Sequence, residues 1–173
     1  MTIGGGKSSL AGLVIQGSGV ASSGRIASML ENAHMFKDME WAQIEALSNY
    51  IQLYHADPNT VLFHEGDRGD FMCIVLEGKL EVRKEDAQRV DKTVSTVMPG
   101  RSLGEMTMVD GEPRSATAVA VEESLLAVLT QENFKLIMHD RPALAVKLLY
   151  KIAQLISQRL RQTSGMLVDY LEN

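Results

Sequence analysis

The sequence predicts a mainly β protein with flanking helices, in which the strands form a sandwich or a barrel. Residues 50–130 contain short segments where apolar and polar side chains alternate, as they do in half-buried strands. Turn-forming residues recur between these segments at the short spacing that is typical of all-β domains. On both sides of this region, apolar residues recur every three or four positions, which predicts helices.

The first 23 residues are a predicted flexible tail. Seven of the fourteen glycines fall at or before Gly24, with serines between them, and this composition is typical of a mobile segment. From residue 24 to residue 49, the apolar positions fit two short amphipathic helices. Trp41, the only tryptophan, is expected to pack one of these helices against the domain, with an exposed role at an interface as the alternative.

The strand region is clearest where alternation is strictest, in Lys79–Arg83 and in Thr93–Met98. Gly and Pro separate the segments, for example at Pro99-Gly100. The only cysteine, Cys73, lies in an apolar run. We interpret it as a packed core thiol, and a single cysteine cannot form an internal disulfide.

The pattern of residues 131–173 predicts two further helices. A short helix from Gln131 to Asp140 ends before Pro142, and a longer helix follows from about Arg141 to Tyr170. Residues of the longer helix recur three or four apart and form one stripe: Leu149, Ile152, Ile156, Leu160, Thr163, Leu167 and Leu171. The stripe either packs on the strands or pairs with the same helix of a second copy. We predict a homodimer through this helix, with a seam that is short for a coiled coil.

The most informative segment carries Arg114 and Ser115. An arginine presents a planar fork of donors that matches the two exocyclic oxygens of a cyclic phosphate. The hydroxyl of Ser115 can donate to the same phosphate, although a strand-start hydroxyl can also bond to backbone. The spacing alone is weak evidence, because an Arg and a Glu nine residues apart are most often a surface ion pair.

The other half of this segment begins ten residues before the arginine, at Gly104. Glu105 and Met106 can start a single helical turn there, whose free N–H groups favour an anion and whose glycine permits close approach. A carboxylate would repel a phosphate, so we assign Glu105 to a ribose hydroxyl. The turn Asp110–Pro113 is expected to bring the arginine back over the site.

At these residues the chain resembles the cyclic nucleotide-binding domain family, which includes bacterial catabolite activator-type regulators, kinase regulatory subunits and gated channels. The family's phosphate-binding cassette is similar to the Gly-Glu pair, the apolar residues and the Arg-Ser pair found here. A second block, from Val61 to Val82, resembles the family's core strands. The resemblance covers residues 36–164 and implies a β-jelly roll, followed by a long C-terminal helix.

Within that helix, the run from Arg159 to Ser164 resembles the segment that closes over the base in catabolite activator-type proteins. The resemblance implies that Arg159 lies near the nucleotide and that Thr163 contacts the adenine edge, with Ser164 the weaker candidate. A hydroxyl can accept from the exocyclic amine of adenine. This favours cAMP as the ligand. Because Ser115 also fits the guanine amine, cGMP is the alternative.

The resemblance implies a sensor that changes conformation on binding and signals to an unidentified effector protein. We expect no DNA binding, because the net charge is −5 and nothing after Gly165 is long or basic enough to read DNA. We expect a cytoplasmic protein without membrane contact, since no secretory signal and no apolar run of ~18 residues is present.

We also expect neither catalysis nor a metal site. The four histidines form no His-x-His pair, and no Ser/His/Asp or Cys/His motif is evident. One further interpretation stays open: a degenerate domain that binds no nucleotide and serves only for dimerisation or docking.

Overall fold

Two antiparallel sheets and a set of helices form the part of the chain that the structure describes. This computed structural model describes residue 10, residues 13–18 and residues 22–171, and the side chains of residues 18 and 166–171 lie outside that description. The strands are β1 (Val14–Ser18), β2 (Gln52–Ala56), β3 (Val61–Phe63), β4 (Phe71–Glu77), β5 (Leu80–Glu85), β6 (Asp91–Val97), β7 (Ser102–Leu103), β8 (Thr117–Ala120) and β9 (Ser124–Thr130). The helices are α1 (Ser23–Leu30), α2 (Trp41–Ser48), α3 (Glu105–Asp110), α4 (Gln131–Asp140) and α5 (Pro142–Leu171), with a 3-10 turn at His34–Phe36.

The strands are arranged as a jelly roll of two sheets. The first sheet has the order β1-β2-β9-β4-β7 and the second has the order β3-β8-β5-β6, with every described pair antiparallel. The chain moves between the sheets several times, so strands distant in sequence become neighbours. This confirms the predicted fold class, a mainly β domain with flanking helices.

Strand β4 shows how the layers are built, because both of its faces are buried. Phe71, Cys73 and Val75 point into the core between the two sheets, whereas Met72 and Ile74 point to a second core under the helices. The uninterrupted apolar run in this strand is what two buried faces require. Helices, first sheet and second sheet therefore form three layers, and each fully buried large side chain stabilises them by about 1.5–3 kcal/mol.

Cys73 is fully buried in the inter-sheet core, which confirms the interpretation of a packed thiol. Burial raises the pKa of this thiol to about 12. The thiolate is therefore scarce at neutral pH.

Helix α5 is the longest element, and its predicted stripe divides between two surroundings. Ile152 is fully buried and Ile156 packs against the core under the helices, whereas Leu149 and Leu160 are exposed. Leu167 and Leu171 lie outside the described side chains. One part of the stripe thus anchors the helix to the domain, and the other part faces away from it.

Strand β1 corrects the predicted flexible tail. Val14 pairs with His55 and Ile15 pairs with Tyr54, so residues 14–18 form an edge strand of the first sheet. The prediction is wrong for these residues because Leu10 and Leu13 pack against the inter-sheet core. The many glycines around them made this segment resemble a flexible tail. Residues 1–9, 11–12 and 19–21 of the predicted tail lie outside the described residues, and the boundary at residue 24 stays a prediction.

Trp41 does not have the buried position that packing against the domain would give it. It is the first residue of α2, and 44% of its surface is exposed. The helix is instead held by Ile44 and Leu47, which are buried in the core under the helices. Within the described residues, no helix combines the length and the hydropathy that crossing a bilayer requires.

Candidate functional site

The segment between β7 and β8 links the two sheets and carries the short helix α3. Strand β7 ends at Leu103 in the first sheet, and β8 begins at Thr117 in the second. Helix α3 packs against β4 on one side and meets α5 on the other. The predicted site residues of this segment therefore lie where both sheets and the C-terminal helix come together.

Gly104 permits this arrangement. Its φ is +81°, a left-handed conformation that favours glycine, and it precedes the first turn of α3. A Cβ at this position would lie 2.6 Å from Nη1 of Arg114 and 3.0 Å from the carbonyl oxygen of Phe71. The predicted helical turn after the glycine is therefore present, and the glycine is in close contact with Arg114 and Phe71.

The turn that follows α3 also forms as predicted. Gly111 ends the helix with φ of +70°, and the Asp110 carboxylate accepts a hydrogen bond of 3.0 Å from the amide of Glu112. The chain then reverses toward the pocket.

Arg114 is buried against α3 and β4, with only 3% of its surface exposed. Its Nη2 donates to the carbonyl oxygen of Phe71 at 2.7 Å, and Nη1 donates to Gly104 O at 3.2 Å and to Thr107 Oγ1 at 3.0 Å. The guanidinium also lies over the rings of Phe63 and Phe71, at 4.0 and 4.6 Å from their centroids. Arg114 is therefore part of the core as well as of the pocket, because it ties α3 to β4.

Glu105 lies in the same pocket and is fully buried. Its Oε1 accepts a hydrogen bond from Nη1 of Arg159, and the second terminal nitrogen of that arginine donates to the carbonyl oxygen of Ser102. Burial raises the pKa of the Glu105 carboxyl above its ordinary value, and the positive charge of Arg159 opposes that effect. The ion pair joins α5 to the cassette across 54 residues of sequence.

Three buried polar side-chain atoms in the described residues lack a hydrogen-bond partner, and all three lie in residues 102–114. They are Nε of Arg114, Oε2 of Glu105 and Oγ of Ser102. Since buried polar groups are nearly always paired, such a cluster indicates a place where a ligand completes the hydrogen bonding. The site offers both a cationic donor and an anionic acceptor.

A pocket of about 80 Å³ opens among these groups. It brings together six of the seven predicted site residues, namely Gly104, Glu105, Met106, Arg114, Ser115 and Arg159. Sequence reasoning missed five further lining residues: Phe63, Val82, Leu103, Thr107 and Ala116. The alternation of β5 could have placed Val82 on an inner face, but nothing local reveals which pocket that face meets.

Thr163 does not line the pocket. It lies four residues after Arg159 on α5, so the two share one face of the helix, and its side chain is exposed. The hydroxyl of Ser164 donates to the carbonyl oxygen of Leu160 at 2.8 Å, within the helix itself. No three metal-ligating side chains come together in the described residues.

Comparison with known proteins shows which family this chain resembles. The sequence model of the cyclic nucleotide-binding domain family matches residues 54–141 of the chain. A crystal structure of a cyclic nucleotide-binding domain from Methylobacillus flagellatus has a TM-score of 0.80 at 30% sequence identity, and the match covers 92% of this chain and 89% of that one.

Two curated relatives are longer than the part of them that aligns with this chain. The cyclic AMP receptor protein of Thermus thermophilus is 26% identical over 133 residues, which cover 77% of this chain and 60% of the relative. The cAMP-dependent protein kinase regulatory subunit of Candida albicans is 29% identical over 113 residues, which cover 65% of this chain and 24% of the relative. The chain thus spans only part of the length of these curated relatives.

Proposed function

The chain belongs to the cyclic nucleotide-binding domain family, and on this premise we propose that it is a sensor for cAMP that signals to an effector protein. The observation that carries the proposal is the buried pair of unpartnered atoms in one pocket, Nε of Arg114 and Oε2 of Glu105. A cyclic phosphate supplies acceptor oxygens for the first, and a ribose hydroxyl supplies a donor for the second.

In this binding mode, Arg114 and Ser115 hold the phosphate. The backbone N–H groups after Gly104, including that of Met106, complete the anion site at the start of α3. Glu105 accepts from the ribose hydroxyl. In the described part of the chain, the amide and hydroxyl of Ser115 make no hydrogen bond, so both are available to a phosphate.

The size of the pocket connects binding to a conformational change. Sites for small molecules usually have about 300–1,000 Å³, whereas this pocket has about 80 Å³. Arg159 occupies part of the space, because it reaches from α5 to Glu105. A ribose that takes over Glu105 weakens this bridge and lets α5 adopt a second position. The ligand shifts the equilibrium by its differential affinity for the two positions.

Thr163 is the proposed contact of the base. It lies one turn beyond Arg159 on the same face of α5, so a small displacement of the helix is enough to bring it over the pocket. Its hydroxyl can accept from the amine of adenine. We place cAMP ahead of cGMP for this reason.

The exposed side of α5 is the proposed homodimer interface. Val146, Leu149 and Leu160 are exposed there at heptad-like spacing, and Ala153 lies between them. We propose that the domain acts in the cytoplasm, without DNA binding, membrane contact or catalysis of its own. Its output is the change in surface that accompanies the movement of α5.

Isothermal titration of the protein with cAMP and then with cGMP tests the proposal. We expect saturable binding of cAMP, weaker binding of cGMP, and a loss of about fivefold or more in cAMP affinity for Ser115→Ala. Thr163→Val should narrow the difference between the two nucleotides. If neither nucleotide binds at high concentration, the sensor proposal fails and a docking module replaces it.

A further inference from the structure

Lys84 brings an ammonium group to the rim of the nucleotide pocket. Side chains alternate along β5, and Leu80 and Val82 point to its inner side. Lys84 follows Val82 by two residues and therefore leaves the strand on the same side. Since Val82 lines the pocket, the alternation directs this lysine toward the segment that forms the pocket wall.

The contacts of Lys84 fall on that wall. Its Nζ donates to the carbonyl oxygen of Ser115 at 3.0 Å and forms an ion pair with Oε1 of Glu65 at 3.2 Å. The carbonyl that it holds belongs to the residue whose amide and hydroxyl are proposed to bind the phosphate. A shift of Ser115 would therefore move two of the proposed donors.

Glu65 belongs to a turn that is already bound to the same segment. The amide of Glu65 donates to Oγ1 of Thr117 at 2.9 Å. The amide of Gly66 donates to the carbonyl oxygen of Arg114 at 2.8 Å, and the amide of Arg114 donates to the carbonyl oxygen of Asp67 at 2.8 Å. Residues on both sides of Ser115 are thus fixed by this turn, and the lysine is the contact that fixes Ser115 itself.

A second lysine of the same hairpin provides the contrast. Lys92 forms an ion pair of 2.9 Å with Asp86, and its side chain is 67% exposed. The Asp86 side chain is 19% exposed, and solvent around the lysine screens the pair. Lys84 is 52% exposed and Glu65 is 36% exposed, so their mutual attraction is also screened. What distinguishes Lys84 is the hydrogen bond to the pocket wall.

We propose that Lys84 is a positioning residue for the phosphate site, held in place by Glu65. The proposal rests on the proposed function, because it concerns affinity for a cyclic nucleotide. It does not require Lys84 to touch the ligand. The lysine fixes the carbonyl of Ser115, and this orients the amide and hydroxyl of the same residue.

Titration of the full chain with cAMP tests this, using Lys84→Met, Lys84→Arg and Lys92→Met as the matched control. We expect Lys84→Met to weaken binding about three- to tenfold, the size of one charge-assisted hydrogen bond at a partly exposed site. Lys84→Arg should restore most of the affinity, and Lys92→Met should stay within about twofold of the wild type. The thermal unfolding of all three variants should match the wild type.

Two further measurements separate positioning from simple attraction of charge. Raising the salt concentration to about 1 M screens long-range attraction, so only a positioning effect keeps the ratio between wild type and Lys84→Met. Glu65→Gln removes a negative charge near an anion site, and charge alone predicts tighter binding. Positioning predicts weaker binding, because the lysine loses its anchor.

The proposal is overturned if Lys84→Met binds cAMP like the wild type, if Lys92→Met loses as much affinity, or if Glu65→Gln binds more tightly. A wild type that binds no cyclic nucleotide overturns the proposed function instead. The two failures are therefore distinguishable within one set of titrations.

Discussion

Replacing Arg159 by Met removes the guanidinium that joins α5 to the cassette and keeps an apolar stem of similar length. Glu105 is fully buried, and Arg159 is its ion-pair partner. Breaking a fully buried ion pair costs about 3–5 kcal/mol. Because 41% of the Arg159 side chain is exposed, its attraction is screened. We therefore expect a loss of about 1–2 kcal/mol in the free energy of unfolding near neutral pH.

The pH dependence of this loss follows from the Glu105 carboxyl. Burial raises its pKa in the folded protein, so at pH values between the ordinary and the raised pKa the folded state binds more protons than the unfolded state. Stability contributed by this group therefore falls as the pH rises through that window. Removing Arg159 raises the folded pKa further. The loss caused by Arg159→Met should be larger at about pH 7 than at about pH 5.

Urea unfolding at both pH values measures this, with Arg161→Met as the control. Arg161 lies on the same helix, is exposed, and contacts Ser157 at 2.9 Å. Its replacement should change the stability by less than about 0.5 kcal/mol. The double variant Arg159→Met, Glu105→Gln should recover part of the loss, since the buried carboxylate is removed together with its ion-pair partner. A loss that is equal at both pH values, or no loss at all, would refute the reasoning.

Three other predictions concern the cassette, the core and the proposed interface. Gly104→Ala should lower the free energy of unfolding by about 1–3 kcal/mol, because the added Cβ would lie 2.6 Å from Arg114 Nη1. Gly111 has a similar φ of +70°, but a Cβ added there would have no atom within 4 Å. Gly111→Ala should therefore lower the free energy of unfolding by about 1 kcal/mol. Equal losses for the two variants in urea unfolding would contradict the argument from close contact. Cys73 should react with a thiol reagent only when the domain unfolds, and faster labelling would show that its core opens locally. Leu160→Glu should convert a dimer into a monomer in sedimentation equilibrium. A wild type that sediments with the mass of one chain, 19.0 kDa, would contradict the proposed interface.

Local sequence rules predicted the cassette well. The short helix after Gly104 and the turn at residues 110–113 each depend on a few neighbouring residues. Alternation and turn residues likewise located the strands. In these places the local preference and the final structure agree, because the energy that decides them is local.

The features that sequence reasoning missed depend on distant partners. Arg114 is buried because Phe71, 43 residues earlier, supplies a carbonyl and an aromatic ring. Strand β1 forms because it finds β2 more than thirty residues later. The side of α5 that packs on the domain is chosen by the core under the helices. Periodicity reveals an apolar stripe, but it cannot tell which neighbour the stripe will meet.

The most direct test of the central claim compares the wild type with Arg114→Lys in titrations with cAMP. A lysine keeps the positive charge but loses the planar fork and the Nε donor. We predict saturable binding at one site per chain for the wild type, and binding at least about tenfold weaker for the variant, while its unfolding stays cooperative. A wild type that does not bind cAMP, or a variant that binds it equally well, would contradict the assignment of the buried cassette arginine to the phosphate.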